Sequence, residues 1–163
     1  ERDRRIMEFL QAKEADLTVI SGLYKSAIGT YGCTWNEHYP AIEHTKGDLL
    51  RGDLYCLKDA TGKIIGAISI DDDKEVEKLD CWSKNGAELS RLVVDESFQN
   101  RGIAGYMIKK AMEVLKQRGF GYVHFLVSKM HIKALRAYDK LEFEKVGESD
   151  LYGGSWWCYE KKL

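Results

Sequence analysis

Gln99-Asn100-Arg101-Gly102-Ile103-Ala104 is a glycine-bearing turn between an apolar run, Leu92-Val93-Val94, and a helical pattern that starts near Ile103. The first amides of a helix have no intrahelical acceptor and the dipole is positive there, so such a turn suits a phosphate. Gly102 would let the ligand approach the backbone closely, and Arg101 adds positive charge. The stretch contains neither GxxxxGK[ST] nor GxGxxG, which leaves a nucleoside triphosphate or a dinucleotide without a motif. Taken alone, the six residues read either as an anion seat or as an ordinary strand-to-helix turn.

Other chemistry-bearing residues are scattered. Cys33, Cys56, Cys81 and Cys158 are widely spaced, with no CxxC pair and no clustered histidine, so they read as reduced thiols and no metal site is expected. His44 and His124 likewise read as structural or exposed. Asp71 to Asp80 carries six acidic and two basic residues; it could attract a cationic amine or simply be a solvated loop.

The elements that must position these residues follow from periodicity. Arg5 to Gln11 reads as a first strand, and Leu17, Ile20, Leu23, Tyr24 and Ile28 recur at helical spacing after Asp16, a candidate cap. A short helix is expected over Ala41 to Leu50. Asp53 to Lys58 and Lys63 to Ile70, joined by Asp59-Ala60-Thr61-Gly62, form a hairpin pattern. A strand over Glu88 to Val94 precedes a helix with Ile103, Ala104, Met107, Ile108, Ala111, Met112 and Leu115 on its apolar side, and Tyr122 to Val127 is an apolar strand. A crossover that long makes the strands at 88–94 and 122–127 parallel neighbours. Ile132 to Leu141 continues as a helix, and strands near Lys145 to Ser149 and Ser155 to Lys161 complete a mixed α/β sheet with helices on both faces.

In that setting LSRLVVDESFQNRGIA resembles motif A of the GNAT superfamily, the Gcn5-related N-acetyltransferases, whose signature is Q/R-x-x-G-x-G/A. A second segment, HIKALRAYDKLEFEKVG (His131 to Gly147), resembles the family's N-x-x-A-x-x-x-Y-x-K-x-G-F stretch, with Ala134, Tyr138, Lys140, Leu141 and Phe143 in register. His131 stands where the family often has asparagine, and Glu142 where it has glycine. The resemblance implies the GNAT fold: a central, mostly antiparallel sheet with one parallel pair splayed at the cofactor site.

It also implies acetyl-CoA as cosubstrate, its pyrophosphate on the amides of Asn100 to Ala104 with Gln99 and Arg101 nearby and His131 as a further contact. The pantetheine arm is expected along Leu92, Val93 and Val94. An amide near Leu92 would meet the thioester carbonyl. Glu88 lies eleven residues before Gln99, where histone-acetylating members keep their base; on a regular strand Glu88, Ser90 and Leu92 would share a face. A strand-end glutamate on a solvated face is the competing reading. Tyr138 falls in register with the family's proton donor to the departing sulfur, and is otherwise a tyrosine aligned with Leu135 and Leu141.

In the family the acceptor site is shaped by the first helices and terminal strands. That directs attention to Thr30 to Pro40, with Trp35, His38 and Tyr39 as substrate-binding candidates; the same cluster could instead cap the core. Trp156 and Trp157 alternate faces, so at most one faces the site.

At 163 residues, 44% hydrophobic and 31% charged, one globular domain over 1–163 is expected. A net charge of -1 offers no global attraction for nucleic acid or anionic membrane. The charged start ERDRRIMEFL and the short apolar run near Ile64 to Ile70 predict neither an export signal nor a membrane span, and point to the cytoplasm. The leading function is acetyl transfer from acetyl-CoA to a small-molecule amine, with a homodimer compatible with the family. A protein N-terminus or lysine as acceptor, and a CoA-binding module without turnover, are the alternatives.

Overall fold

The computed structural model describes residues 6–30 and 32–163. Arg5, the expected start of the first strand, and Tyr31, within the aromatic stretch, lie outside the described residues. Seven strands form one sheet in the order β1-β2-β3-β4-β5-β7-β6. They are β1 (Glu8–Gln11), β2 (Leu54–Lys58), β3 (Ile64–Asp71), β4 (Gly86–Val94), β5 (Tyr122–Ser128), β6 (Glu144–Ser149) and β7 (Trp156–Lys162). Every neighbouring pair is antiparallel except β4 and β5, which are parallel as the long crossover requires. The β2–β3 turn is fixed by Asp59, whose Oδ1 accepts from the amides of Thr61 and Lys63 at 2.9 and 3.0 Å.

Helices α1 (Leu17–Ala27), α2 (Ile42–Leu50), α3 (Lys74–Glu77), α4 (Ile103–Gln117) and α5 (Ile132–Lys140) cover the sheet. The stripe Ile103, Met107, Ile108, Ala111 and Leu115 of α4 is buried against Leu57, Ile65, Ile68, Val123 and Phe125. Ile20, Leu23 and Tyr24 of α1 pack on the opposite face with Leu54, Cys56, Ala67 and Val93.

Three local expectations change. Asp16 does not cap α1 through its side chain; its carboxylate accepts from the Lys13 amide at 2.8 Å and closes the preceding turn. Ile28 leaves the helix as its C-cap at φ -59, ψ 131. Within the acidic segment Asp73 accepts from the amides of Glu75 and Val76 and nucleates the short α3, so this stretch is an ordered element.

The most consequential irregularity lies in β4. Ala67 pairs with Val93 and Ser69 with Ser90, so two β4 residues, Arg91 and Leu92, face the single Ile68: a β-bulge, with Arg91 left-handed at φ 49. Regular alternation from Ala87 and Leu89 would drive Arg91 into the apolar α4 face. The bulge puts Leu92 and Val94 there instead and turns Val93 toward α1. Leu92 therefore does not share a face with Glu88 and Ser90.

Arg91, 8% exposed, makes a forked pair with Asp48 of α2, Nε to Oδ2 at 3.0 Å and Nη2 to Oδ1 at 2.8 Å. Its Nη1 donates to Asp71 Oδ2 and to the Tyr39 hydroxyl, both at 3.0 Å. Removing one member of a buried pair strands the other. Arg91→Met should therefore cost about 3–5 kcal/mol in urea unfolding, and adding Asp48→Asn should cost less than the sum of the two singles. Additive losses would show that the two residues act independently.

Candidate active site

Gln99 is extended, Asn100 and Gly102 are left-handed at φ 63 and 74, and α4 begins at Ile103. Left-handed positions alternating along a turn collect successive N–H groups into an anion-binding concavity. The first hydrogen bond of α4 runs from Tyr106 N to Gly102 O at 3.1 Å, so the amides of Ile103, Ala104 and Gly105 have no backbone acceptor among the described residues. No acidic residue occupies the first turn. Ile103 is buried and can contribute only its backbone. The Gln99 side-chain amide donates to Val94 O at 3.3 Å, and Lys133 donates to Asn100 Oδ1, tying the turn to the end of β4 and to the start of α5. Arg101 lies over the Phe98 ring, its Cζ 5.3 Å from the centroid.

Pairing between β4 and β5 covers only Gly86 with Tyr122, Ala87 with Val123, and Glu88 with His124. Beyond Glu88, β4 from Leu89 to Val94 has no strand partner on its β5 side, while β5 continues to pair with β7. The sheet opens there, and an amide-bearing chain can pair with the exposed β4 backbone. The turn at 99–104 closes the far end of this opening.

Glu88 is at its mouth, 6% exposed, and its Oε1 has no hydrogen-bond partner. Burial is the largest cause raising its carboxyl to about 9, reinforced by Asp71 and Asp73 and opposed by Arg91. Strand register sets Asp71, Glu88, His124 and Glu160 in a row across β3, β4, β5 and β7. His124 is buried rather than exposed, stacks on Trp82 at 4.3 Å, and is lowered by burial to about 4, so it is neutral. Glu160 accepts from the Ser83 amide and hydroxyl.

Tyr138 packs on the other face of the sheet, with the Phe125 ring at 4.7 Å, in the cluster that includes Leu92 and Val94. Burial raises its phenol to about 12, and no hydrogen-bond partner for its hydroxyl is found among the described residues. Glu88 and Tyr138 thus flank the opening from opposite faces. His131 caps α5, its Nδ1 3.4 Å from the Ala134 amide, and its ring fills the space over Gly32, where a Cβ would lie 2.7 Å from Nδ1. Glu142 adopts φ 65, the conformation that favours the glycine it replaces.

The aromatic stretch divides. Tyr39 reaches the site through Arg91, Trp35 packs edge-on to Tyr24 at 5.4 Å beneath α1, and His38 is solvent-facing beside Glu37. His44 accepts the Ala41 amide through Nδ1, a structural role. Sequence reasoning passed over Arg91, Asp48 and Tyr152 and read Asp73 only as part of the acidic run; the readable signal for Arg91 was an arginine inside an apolar strand. The Tyr152 hydroxyl, from the β6–β7 connection, donates to Asp73 at 2.8–2.9 Å.

The acetyltransferase (GNAT) family matches residues 20–143. The chain belongs to that family. An uncharacterised N-acetyltransferase of Methanocaldococcus jannaschii is 30% identical over 95 residues, a match covering 57% of this chain and 40% of that protein. A GNAT phosphinothricin acetyltransferase from Sinorhizobium meliloti, solved with acetyl-CoA, superposes with a TM-score of 0.77 at 16% identity, covering 97% of this chain and 89% of that one. A ribosomal-protein-alanine N-acetyltransferase from Brucella melitensis does so at 0.75 and 18% identity, covering 96% and 99%. Both superpositions bear on fold alone. Two GNAT neighbours with different acceptors in their names match this chain about equally, so overall shape does not choose the acceptor.

The turn generates a direct test. Gly102→Asp puts a carboxylate and a strained backbone among the free amides and should weaken CoA binding by calorimetry at least about a hundredfold. Gly102→Ala, which adds no charge, should cost about tenfold or less. Unchanged CoA affinity in Gly102→Asp would remove this turn as the phosphate seat.

Proposed function

We propose that the chain is an acetyl-CoA-dependent N-acetyltransferase acting on a primary amine of a small molecule by direct attack in a ternary complex. The observation that carries this reading is a buried carboxyl, Glu88, with an unpartnered oxygen where the sheet opens. The amides of Asn100 to Ala104, with Gln99 and Arg101 beside them, would hold the pyrophosphate, with His131 near the start of α5. Leu92, Val93 and Val94 would pair with the pantetheine arm through their backbone. Acetyl-CoA supplies the activated acetyl group as a thioester.

An alkylammonium with a pKa near that of lysine, about 10.4, must lose a proton before its nitrogen attacks. Handing that proton to an ordinary glutamate is uphill by about six pKa units, whereas a carboxyl raised to about 9 brings the transfer within about one to two. Burial and three neighbouring carboxylates therefore make the ionised form of Glu88, which grows as pH rises toward about 9, a matched base. Glu88 takes one proton from the ammonium before attack; as the nitrogen–carbon bond forms and the carbon–sulfur bond breaks, the sulfur leaves as a thiolate and the second nitrogen proton passes to it or to solvent. Tyr138 keeps its proton through the working range and donates a hydrogen bond to that sulfur. Complete transfer from a phenol near 12 to a thiolate of about 8.5 is uphill, so its part is stabilisation rather than full protonation. Cys56 and Cys158 are buried and their thiols raised to about 11 and 12, which disfavours a thiolate acetyl carrier and supports direct transfer.

Glu88→Gln should lower kcat about 10²–10⁴-fold at pH 7.5, with the gap narrowing at pH 10 where the amine deprotonates unaided. A loss uniform across pH would make Glu88 a positioning group. The linkage has a definite sign. A carboxyl raised in the native state binds a proton that the unfolded chain releases, so wild-type stability falls as pH rises from about 4.5 toward about 9. Glu88→Gln should remove that fall and unfold at higher urea than wild type at pH 8. Tyr138→Phe should lower kcat by about 10–100-fold with little change in KM for acetyl-CoA; unchanged kcat would remove the donor role.

A further inference from the structure

The face of the sheet that carries Glu88 is acidic in a way that catalysis alone does not require. Asp71 ends β3 directly opposite Glu88, and Asp73 and Glu77, at the start and end of α3, are close enough to act on its charge. Two carboxyls directly opposite on paired strands are unfavourable once both are ionised, and a buried oxygen without a partner is costly as well. Among the described residues the only buried cation facing them is Arg91, and it is committed to Asp48 and Asp71. His124 of β5 is neutral, and Tyr39 and Tyr152 hold their protons, each raised mainly by burial.

Asp73 has no cationic partner among the described residues. It accepts the α3 amides on Oδ1 and the Tyr152 hydroxyl on both oxygens, contacts that orient the carboxylate without neutralising it. Tyr152 is held there by its own turn: the Trp156 indole N–H donates to Leu151 O at 2.8 Å. Lys74, 75% exposed, pairs with Glu77 only at 3.5 Å. The site thus has two carboxyl positions: Glu88 at the sheet opening, which burial keeps protonated in the free protein, and Asp73 at its rim.

A monoamine engages only the first position, because its charge disappears as its nitrogen attacks. A charge that persists through the reaction is what a second, fixed carboxylate can hold. We propose that the acceptor is a small amine bearing a second cationic centre, with the reacting nitrogen at Glu88 and the other cation at Asp73 beneath the Tyr152 hydroxyl. This inference rests on the N-acetyltransferase reading of the same site.

The test compares CoA thiol release by the purified protein with α,ω-diamines of three to six carbons against n-alkylamines of equal length. The best diamine should exceed its monoamine in kcat/KM by about tenfold or more at low salt, with the preference shrinking as salt rises. Asp73→Asn keeps an acceptor for the α3 amides and should bring the diamine-to-monoamine ratio toward one, and Glu77→Gln should reduce it less. Circular dichroism and urea unfolding confirm that both variants fold. Turnover of both amine classes at equal kcat/KM, or a preference unchanged in Asp73→Asn, overturns the inference and leaves the N-acetyltransferase reading standing. Thiol release with none of the amines, despite CoA binding, overturns the small-amine reading and this inference with it.

Discussion

Strand pairing between β4 and β5 stops after Glu88 and His124, and the rest of the site depends on that interruption. Seven paired strands would otherwise leave nowhere for an amide-bearing cofactor to enter the sheet. The bulge at Arg91 accompanies the opening, and it is held by charge. A left-handed arginine is an unfavourable backbone state, and a buried guanidinium is costly without partners. Asp48 and Asp71 supply those partners, so one residue ties α2, β3 and β4 together at the mouth of the opening. The same residue sends Leu92 and Val94 to the α4 face and orients Tyr39 on the other.

Glu88 shows the tension between folding and chemistry. Opposite Asp71, buried, and short of a partner for one oxygen, it is a poor choice for stability at neutral pH. Those same features raise its pKa toward that of the amine it would deprotonate. Sites tuned for proton transfer commonly sit in the less stable part of a protein for this reason. Tyr138 lies on the opposite face, where aromatic packing against Phe125 holds the ring.

Much of the architecture was legible because it is written locally. The β2–β3 hairpin follows from alternation and the Asp59 turn, the α4 stripe from helical spacing, and the single parallel pair from a crossover too long for a hairpin. The turn at 99–104 was legible for the same reason: its amides come from consecutive residues whose backbone is dictated by Gly102 and the helix that follows. Where local patterning was read too simply, a side chain had found a different partner. Asp16 binds the Lys13 amide, and Asp73 folds the acidic stretch around itself.

The sequence by itself determined the order of elements and the shape of the turn at 99–104, because short-range hydrogen bonding and hydrophobic period act within a few residues. Only the tertiary structure decided what surrounds Glu88. Arg91 meets Asp48 across 43 positions and Tyr152 meets Asp73 across 79, contacts that no spacing rule anticipates. The bulge also reverses which face Leu92 occupies, since a single inserted residue inverts the two-residue alternation of a strand. Charge that reads as a solvated run in one dimension becomes an acidic rim beside Glu88 once β3, α3, β4 and the β6–β7 connection are folded against one another.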